Sequence, residues 1–173
     1  MPTAPPSARR LTVRLAVHCA RLIAAASLLA SLDAAGFTFS DGTTARCTAA
    51  GNVVPEIDVS QGEEKVLFTG KVVAEGNGYR MLWNMEKLNT LPAEMHDYLF
   101  FHECAHARLP TRDETQANCA GLIEMRASGK AGPDIESKIA AFYGPGSAYW
   151  TRTLQCANKG APDARQPASP APP

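Results

Sequence analysis

Two histidines and a glutamate lie close together in the stretch FFHECAHA, residues 100–107. His102 and His106 are four residues apart, so on a helix they differ by about 40° around the axis and can reach one metal ion. Glu103 points about 80° away from the mean direction of the two histidines. This arrangement is typical of a zinc site in which a neighbouring carboxylate takes a proton from zinc-activated water.

Apolar residues surround this group on nearly every side of the predicted helix, in the sequence YLFFHECAHA. A helix with this composition belongs in the protein interior. Burying His102, Glu103 and His106 without partners would cost about 1–3 kcal/mol for each unsatisfied group. A bound metal ion would remove that cost for the histidines, so the pattern favours a Zn²⁺ site.

A catalytic zinc site needs a third protein ligand, and no histidine follows His106. Glu114 is the best candidate, because the segment RLPTRD lets the chain turn and bring it back on a second helix. An alternative is that Glu114 belongs to a capping box with Thr111 as N-cap. If Asp113 is the N-cap instead, paired with Gln116, then Glu114 is free to bind the metal.

The sequence patterns around these residues predict the elements that must position them. The predicted fold is α+β, with a small antiparallel sheet followed by two or three helices. Residues 65–74 and 79–84 have strand-like patterns and are separated by the turn signal EGNG. Helices are predicted from about residue 92 to 109, from about 113 to 128, and over 134–144. Prolines and glycines mark their ends.

The ends of the chain differ in character from this central part. Residues 1–35 carry four arginines, one acidic residue and a run of 11 apolar or small residues, which together predict a signal peptide. That run is too short to span a bilayer, so we expect an exported, periplasmic or secreted protein without a stable membrane span. Residues 36–159 would form one zincin-like domain, and residues 160–173, rich in Pro and Ala, a disordered tail. The formal net charge of zero gives no indication of nucleic-acid binding.

Four cysteines follow the predicted signal peptide: Cys47, Cys104, Cys119 and Cys156. An even number in a small exported domain indicates two disulfides, with three connectivities allowed by sequence. Cys104 lies about 180° around the helix from the histidines and should not bind the same metal. A Cys104–Cys119 bond would join the two ligand-bearing helices and leave Cys47–Cys156, and this is the pairing that we expect.

The sequence HECAH, a turn and then ETQANC resembles the gluzincins, which are zinc metalloproteases. It is more narrowly similar to small exported bacterial proteins with a His-Glu-Cys-Ala-His motif. The resemblance covers roughly residues 78–130. It implies His102, His106 and Glu114 as zinc ligands, Glu103 as general base, and strand 79–84 as the border of a substrate cleft.

One position departs from the gluzincin pattern. Asn118 stands where these enzymes usually have an aspartate that supports a ligand histidine. An asparagine can still accept a hydrogen bond from an imidazole N–H, although it lacks the charge that makes the ligand more basic.

Three functions are compatible with these patterns. The first is a zinc metallopeptidase that hydrolyses a peptide or protein substrate, with Glu103 moving the proton. The second is a zinc-bound, disulfide-stapled binding or structural module without turnover. The third is a chance motif in a buried helix, which predicts no stoichiometric metal.

Overall fold

The computed structural model describes residues 36–61 and 68–160, which form an α+β fold, as predicted. The strands are β1 Phe37–Thr38, β2 Thr44–Ala45, β3 Thr48–Ala49, β4 Asn52–Val53, β5 Glu56–Asp58, β6 Gly70–Glu75 and β7 Gly78–Trp83. The helices are α1 Met85–Leu88, α2 Ala93–Arg108, α3 Glu114–Ala127, α4 Pro133–Tyr143 and α5 Ala148–Lys159. The predicted signal peptide and the predicted tail beyond Gly160 lie outside the described residues. None of the helices within 36–61 and 68–160 is long and apolar enough to cross a membrane.

The largest sheet has three strands in the order β5-β7-β6. The predicted hairpin is confirmed, because β6 and β7 are antiparallel with Val72 opposite Met81. Strand β5 adds to the other side of β7 in a parallel register. Both edges of β7 are therefore paired, so this strand has no free edge with which to pair a substrate backbone. Among the described residues, β6 is the edge strand on that side.

Helix α2 is the central helix of the fold and agrees with its predicted bounds. Pro92 precedes its first residue, and Glu94 lies in its first turn, where a carboxylate interacts favourably with the helix dipole. Ten of its 16 residues are buried. They include the candidate site residues His102 and Glu103 and the disulfide-bonded Cys104, but not His106. The helix is therefore enclosed on most sides, as its apolar composition predicts.

Helix α3 packs directly against α2 at the turn that carries His102. A Cβ atom added to Gly121 would lie 2.9 Å from the backbone nitrogen of His102 and 2.9 Å from the carbonyl carbon of Phe101. Glycine is therefore required for this close backbone approach. Leu122 and Met125 fill the same interface and are almost completely buried.

The opposite side of α2 is covered by the first strands and their loops. Phe37 and Phe39 pack against the ring of Phe100, with centroids 4.9 and 5.2 Å away. Ser40 donates both its backbone N–H and its hydroxyl to the carboxylate of Asp97, at 2.8 and 2.7 Å. These contacts hold the N-terminal segment on the face of α2 that is remote from α3.

Two helices, α1 and α5, go beyond the two or three that the sequence predicts. Helix α5 begins after Ser147, whose hydroxyl accepts a hydrogen bond from the backbone N–H of Trp150. It buries Trp150, Thr153 and Ala157. The spacing of three and four residues between them is a helical signal. The Gly-Pro-Gly sequence before them indicates a turn, however, and the sequence patterns did not predict this helix.

Two disulfides exist, as predicted, but the expected pairing of Cys104 with Cys119 is wrong. The bonds are Cys47–Cys104 and Cys119–Cys156. Cys104 lies about 180° around α2 from the histidines and bonds Cys47 in the segment between β2 and β3. Cys119 on α3 bonds Cys156 on α5. Each disulfide therefore ties one of the two helices that carry candidate metal ligands to a different neighbouring segment.

Replacing Cys119 and Cys156 together by serine should lower the free energy of unfolding. The bond joins residues 37 apart, and the chain-entropy model assigns a loop of this length about 4 kcal/mol. Urea denaturation of the oxidised wild type and the double variant measures this difference.

Mass-spectrometric mapping of non-reduced peptides should find Cys47 linked to Cys104, and a peptide joining Cys104 to Cys119 would contradict the structure.

Replacing Gly121 by alanine should push α3 away from α2, because the added methyl group meets backbone atoms that cannot rotate away. Overpacking of this kind costs about 1–3 kcal/mol. Thermal unfolding measures the loss. Gly78→Ala is the matched control, because its added Cβ would meet only the carbonyl oxygen of Glu75 at 3.9 Å. Equal stability of the two variants would contradict the close contact at Gly121.

Candidate metal centre

Three side chains from the two packed helices bring their donor atoms together. The Nε2 atoms of His102 and His106 are 3.1 Å apart. The Oε2 atom of Glu114 is 3.2 Å from His102 Nε2 and 3.6 Å from His106 Nε2. These three residues form the one group of histidine, cysteine and carboxylate side chains suited to hold a metal ion within residues 36–61 and 68–160. The structure thus brings together the three predicted ligands.

The triangle formed by these donor atoms has the size that a tetrahedral metal centre requires. Ligand bonds of about 2.0–2.1 Å in a tetrahedral arrangement separate the donor atoms by about 3.3 Å. The observed separations of 3.1, 3.2 and 3.6 Å bracket this value. The residues present therefore fit a bound metal ion, with a fourth position left for a small ligand.

The tautomer of His106 also suits metal binding. Its Nδ1 lies 2.8 Å from the backbone carbonyl oxygen of Thr111. Because a carbonyl oxygen can only accept a hydrogen bond, Nδ1 must carry the proton. In the neutral ring the lone pair is then on Nε2, which points toward Glu114 and His102. A hydrogen bond of this type commonly orients a metal-bound histidine.

Glu114 reaches the histidines because it is not used to cap its helix. Asp113 is the N-cap of α3, and its carboxylate accepts hydrogen bonds from the backbone N–H groups of Thr115 and Gln116. Of the two N-cap residues that the sequence allows, Thr111 and Asp113, the structure has Asp113, which leaves the Glu114 side chain free to bind a metal ion. A hydrogen bond from His102 lowers the pKa of Glu114, so its carboxylate is ready to bind a cation. Its side chain is 59% exposed, so the site opens to solvent on this side.

Glu103 lies beside the donor triangle but does not belong to it, as predicted for a general base. It is only 6% exposed, and burial raises the pKa of its carboxyl group. Electrostatic attraction to His102 and His106 opposes this rise, and the backbone N–H of Val72 in β6 adds a smaller effect of the same sign. Gly70 makes room for the side chain, because a Cβ there would lie 3.1 Å from Glu103 Cγ. The edge strand therefore fixes the position of the carboxylate.

Asn118 does not support a ligand histidine in this structure. Its Oδ1 atom accepts a hydrogen bond of 2.7 Å from the hydroxyl of Tyr98, one turn before His102 on α2. The Nδ1 atom of His102 is buried and has no hydrogen-bond partner among the described residues. The role that the resemblance implied for Asn118 is therefore not seen, because its acceptor oxygen bonds Tyr98 and no hydrogen bond joins it to a histidine among the described residues.

A groove of about 790 Å³ leads to the donor atoms. Strand β6 forms one wall, and the loop between α2 and α3 forms another. The residues lining it outside the metal centre include Gly70, Lys71, Val72, Val73, Ala74, Tyr79, Pro110, Thr111 and Arg112. Of these residues, Tyr79 belongs to the strand that the gluzincin resemblance places at the border of a cleft, and Pro110 belongs to the expected turn. The sequence patterns indicate no site role for the others, because their proximity depends on the packing of β6 against α2.

The backbone groups of β6 that face this groove follow from the sheet register. Met81 in β7 donates its N–H to Pro55, on the side of β5. The next residue, Leu82, therefore directs its backbone toward β6, where it pairs with Lys71. Because N–H and C=O directions alternate along a strand, three residues of β6 direct theirs away from β7. They are Gly70, Val72 and Ala74.

Titration with Zn²⁺ should give one bound ion per chain, and Glu114→Gln should weaken binding at least tenfold because it removes a charged ligand. His106→Ala should abolish stoichiometric binding. Isothermal titration calorimetry and elemental mass spectrometry measure both. Glu124→Gln, on the same helix but paired with Arg108, is the control and should bind normally. Full metal content in His106→Ala would contradict the site.

No protein-family model matches this chain. No curated protein and no solved structure matches it either. The metal-binding site is therefore inferred from the donor geometry of the described residues, without support from a relative.

Proposed function

We propose that this protein is an exported zinc metallopeptidase with His102, His106 and Glu114 as ligands. The observation that carries the proposal is the donor triangle with the buried carboxylate of Glu103 directly beside it. A purely structural zinc site has no need of a fourth, non-ligating acid and is usually closed by four protein ligands. Here three ligands leave one position open to a solvent-accessible groove.

The donor set favours zinc among the common metals. Two imidazoles and one carboxylate form a well-attested catalytic zinc set, whereas magnesium and calcium prefer oxygen ligands alone. When bound, zinc would polarise a substrate carbonyl and lower the pKa of a water molecule toward neutrality.

Glu103 would move the proton during hydrolysis. Its carboxylate accepts a proton from the attacking water as the water oxygen forms a bond to the peptide carbonyl carbon. It then gives that proton to the amine nitrogen as the carbon–nitrogen bond breaks. The buried surroundings that raise the pKa of Glu103 help it to hold this proton between the two transfers.

The peptide substrate would lie along the outer edge of β6. An extended chain can add to an exposed sheet edge through backbone hydrogen bonds. Gly70, Val72 and Ala74 direct their backbone groups toward this edge, where no strand pairs with them among the described residues. A peptide paired in this way would pass beside the metal ligands and the general base, since the same groove contains all of them.

Export agrees with the cysteine chemistry. The two disulfides connect four cysteines, three of which are buried, and such bonds persist mainly in oxidising compartments. An arginine-rich, apolar N-terminal segment of the kind seen in residues 1–35 would direct the chain there. A periplasmic or secreted protein would meet its peptide substrates in the same compartment.

A zinc-bound binding or structural module remains the second candidate, and one observation favours it. The Nδ1 atom of His102 lacks a hydrogen-bond partner among the described residues, whereas ligand histidines in efficient metalloenzymes usually have one. A module of this kind would bind zinc and peptides without cleaving them.

Replacing Glu103 by glutamine should lower the hydrolysis rate by a factor of about 10²–10⁴, because the amide cannot accept the proton. Zinc binding should persist, since Glu103 is not a ligand. Cleavage of a quenched fluorescent peptide library by zinc-loaded protein measures the rate. Glu94→Gln, on the same helix away from the groove, is the matched control.

Two results would reject the peptidase. One is no cleavage by zinc-loaded wild type across a broad peptide library, which would leave the binding module. The other is equal cleavage by Glu103→Gln and Glu94→Gln, which would indicate a contaminating protease.

A further inference from the structure

We infer that the groove selects peptides carrying a carboxylate close to the metal centre, with Arg112 and Lys71 as the specificity-determining residues. The inference rests on the proposed peptide-binding function of the same site. The carboxylate can come from an aspartate or glutamate side chain or from the C terminus of the peptide, because both present the same group.

Arg112 projects from the loop that joins the two ligand-bearing helices. It lies two residues before Glu114 and next to Thr111, whose carbonyl oxygen orients His106. Its side chain lines the groove and is exposed, and it makes no ion pair or hydrogen bond in the part of the chain that the structure describes. The adjacent Asp113 is occupied with capping α3. A guanidinium group held here can bind a carboxylate through two parallel hydrogen bonds.

Lys71 lines the groove from the other wall, on β6. Its ammonium group lies 5.7 Å from the centroid of the Phe68 ring, which gives it a weak cation–π contact. No ion pair of Lys71 is present among residues 36–61 and 68–160. By contrast, Arg80 on the neighbouring strand β7 is paired with Glu75, so it is not available to a ligand.

The charge balance of the groove makes these two cations significant. Glu103 and Glu114 are the carboxylates among the lining residues. A bound divalent cation would balance both of them, which leaves Lys71 and Arg112, on opposite walls, without a compensating carboxylate among the described lining residues. A groove lined by one sign of charge attracts a ligand of the opposite sign and rejects one of the same sign. The expected preference is therefore for acidic over basic peptides.

The test measures binding to zinc-loaded Glu103→Gln protein, so that peptides are bound but not cleaved. Fluorescence anisotropy would give the Kd of labelled hexapeptides with Glu, Gln or Lys at a central position and an amidated C terminus. A fourth peptide would have central Gln and a free C-terminal carboxylate. The variants Arg112→Glu and Lys71→Glu are compared with Lys138→Glu, which reverses the charge of an exposed lysine on α4 outside the groove.

We expect one of the two carboxylate peptides to bind at least tenfold tighter than the amidated Gln peptide, as for a charged hydrogen bond. The tighter of the two identifies whether the side chain or the C terminus is recognised. Arg112→Glu should remove this preference and favour the Lys peptide, and Lys71→Glu should weaken it. Lys138→Glu should leave it unchanged.

Equal affinity for all four peptides, no measurable binding, or equal effects of Arg112→Glu and Lys138→Glu would each overturn the inference. Zinc content of every variant, measured in parallel, shows that the site is intact. Charge-selective binding without cleavage by wild type would reject the peptidase alone. Cleavage without charge preference would reject the selectivity alone.

Discussion

The close contact between α2 and α3 at Gly121 is the constraint on which the site depends. His102 and His106 share one helix, and their spacing alone brings their nitrogens together. Glu114 belongs to the other helix and meets them only if the two backbones approach without an intervening side chain. The short loop from Leu109 to Asp113 can close because Asp113 caps α3 with its own side chain. A metal ion would then add to a geometry that helix packing already provides.

The surrounding elements hold this pair of helices from outside. The Cys47–Cys104 bond attaches α2 to the N-terminal strands, and the Cys119–Cys156 bond attaches α3 to α5. Neither disulfide crosses the interface between α2 and α3. That interface is held by packed side chains and by the hydrogen bond between Tyr98 and Asn118. A domain of this size buries a modest core, and two disulfides compensate for that by restricting the unfolded chain.

Strand β6 connects Glu103, the proposed general base, to the proposed substrate. It packs against α2 and gives space to the Glu103 side chain at Gly70. Among the described residues its outer edge has no partner strand, and this edge faces the groove. The strand that would bind a peptide at this edge therefore also contacts the Glu103 side chain. Preorganisation of this kind is what a hydrolytic site requires, since small displacements of catalytic groups reduce rates strongly.

The sequence by itself determined the α+β class, the three central helices, the β6–β7 hairpin and the candidate metal-binding group of His102, His106 and Glu114. These features depend on local spacing, on turn and capping residues, and on the apolar surroundings of a single helix. Only the tertiary structure decided the disulfide pairing, the engagement of Asn118 with Tyr98, and which strand lies at the sheet edge beside the groove. Each of these depends on the direction in which one element faces another. That direction results from the packing of the whole domain, for which Gly70 and Gly121 are required, and no local pattern encodes it.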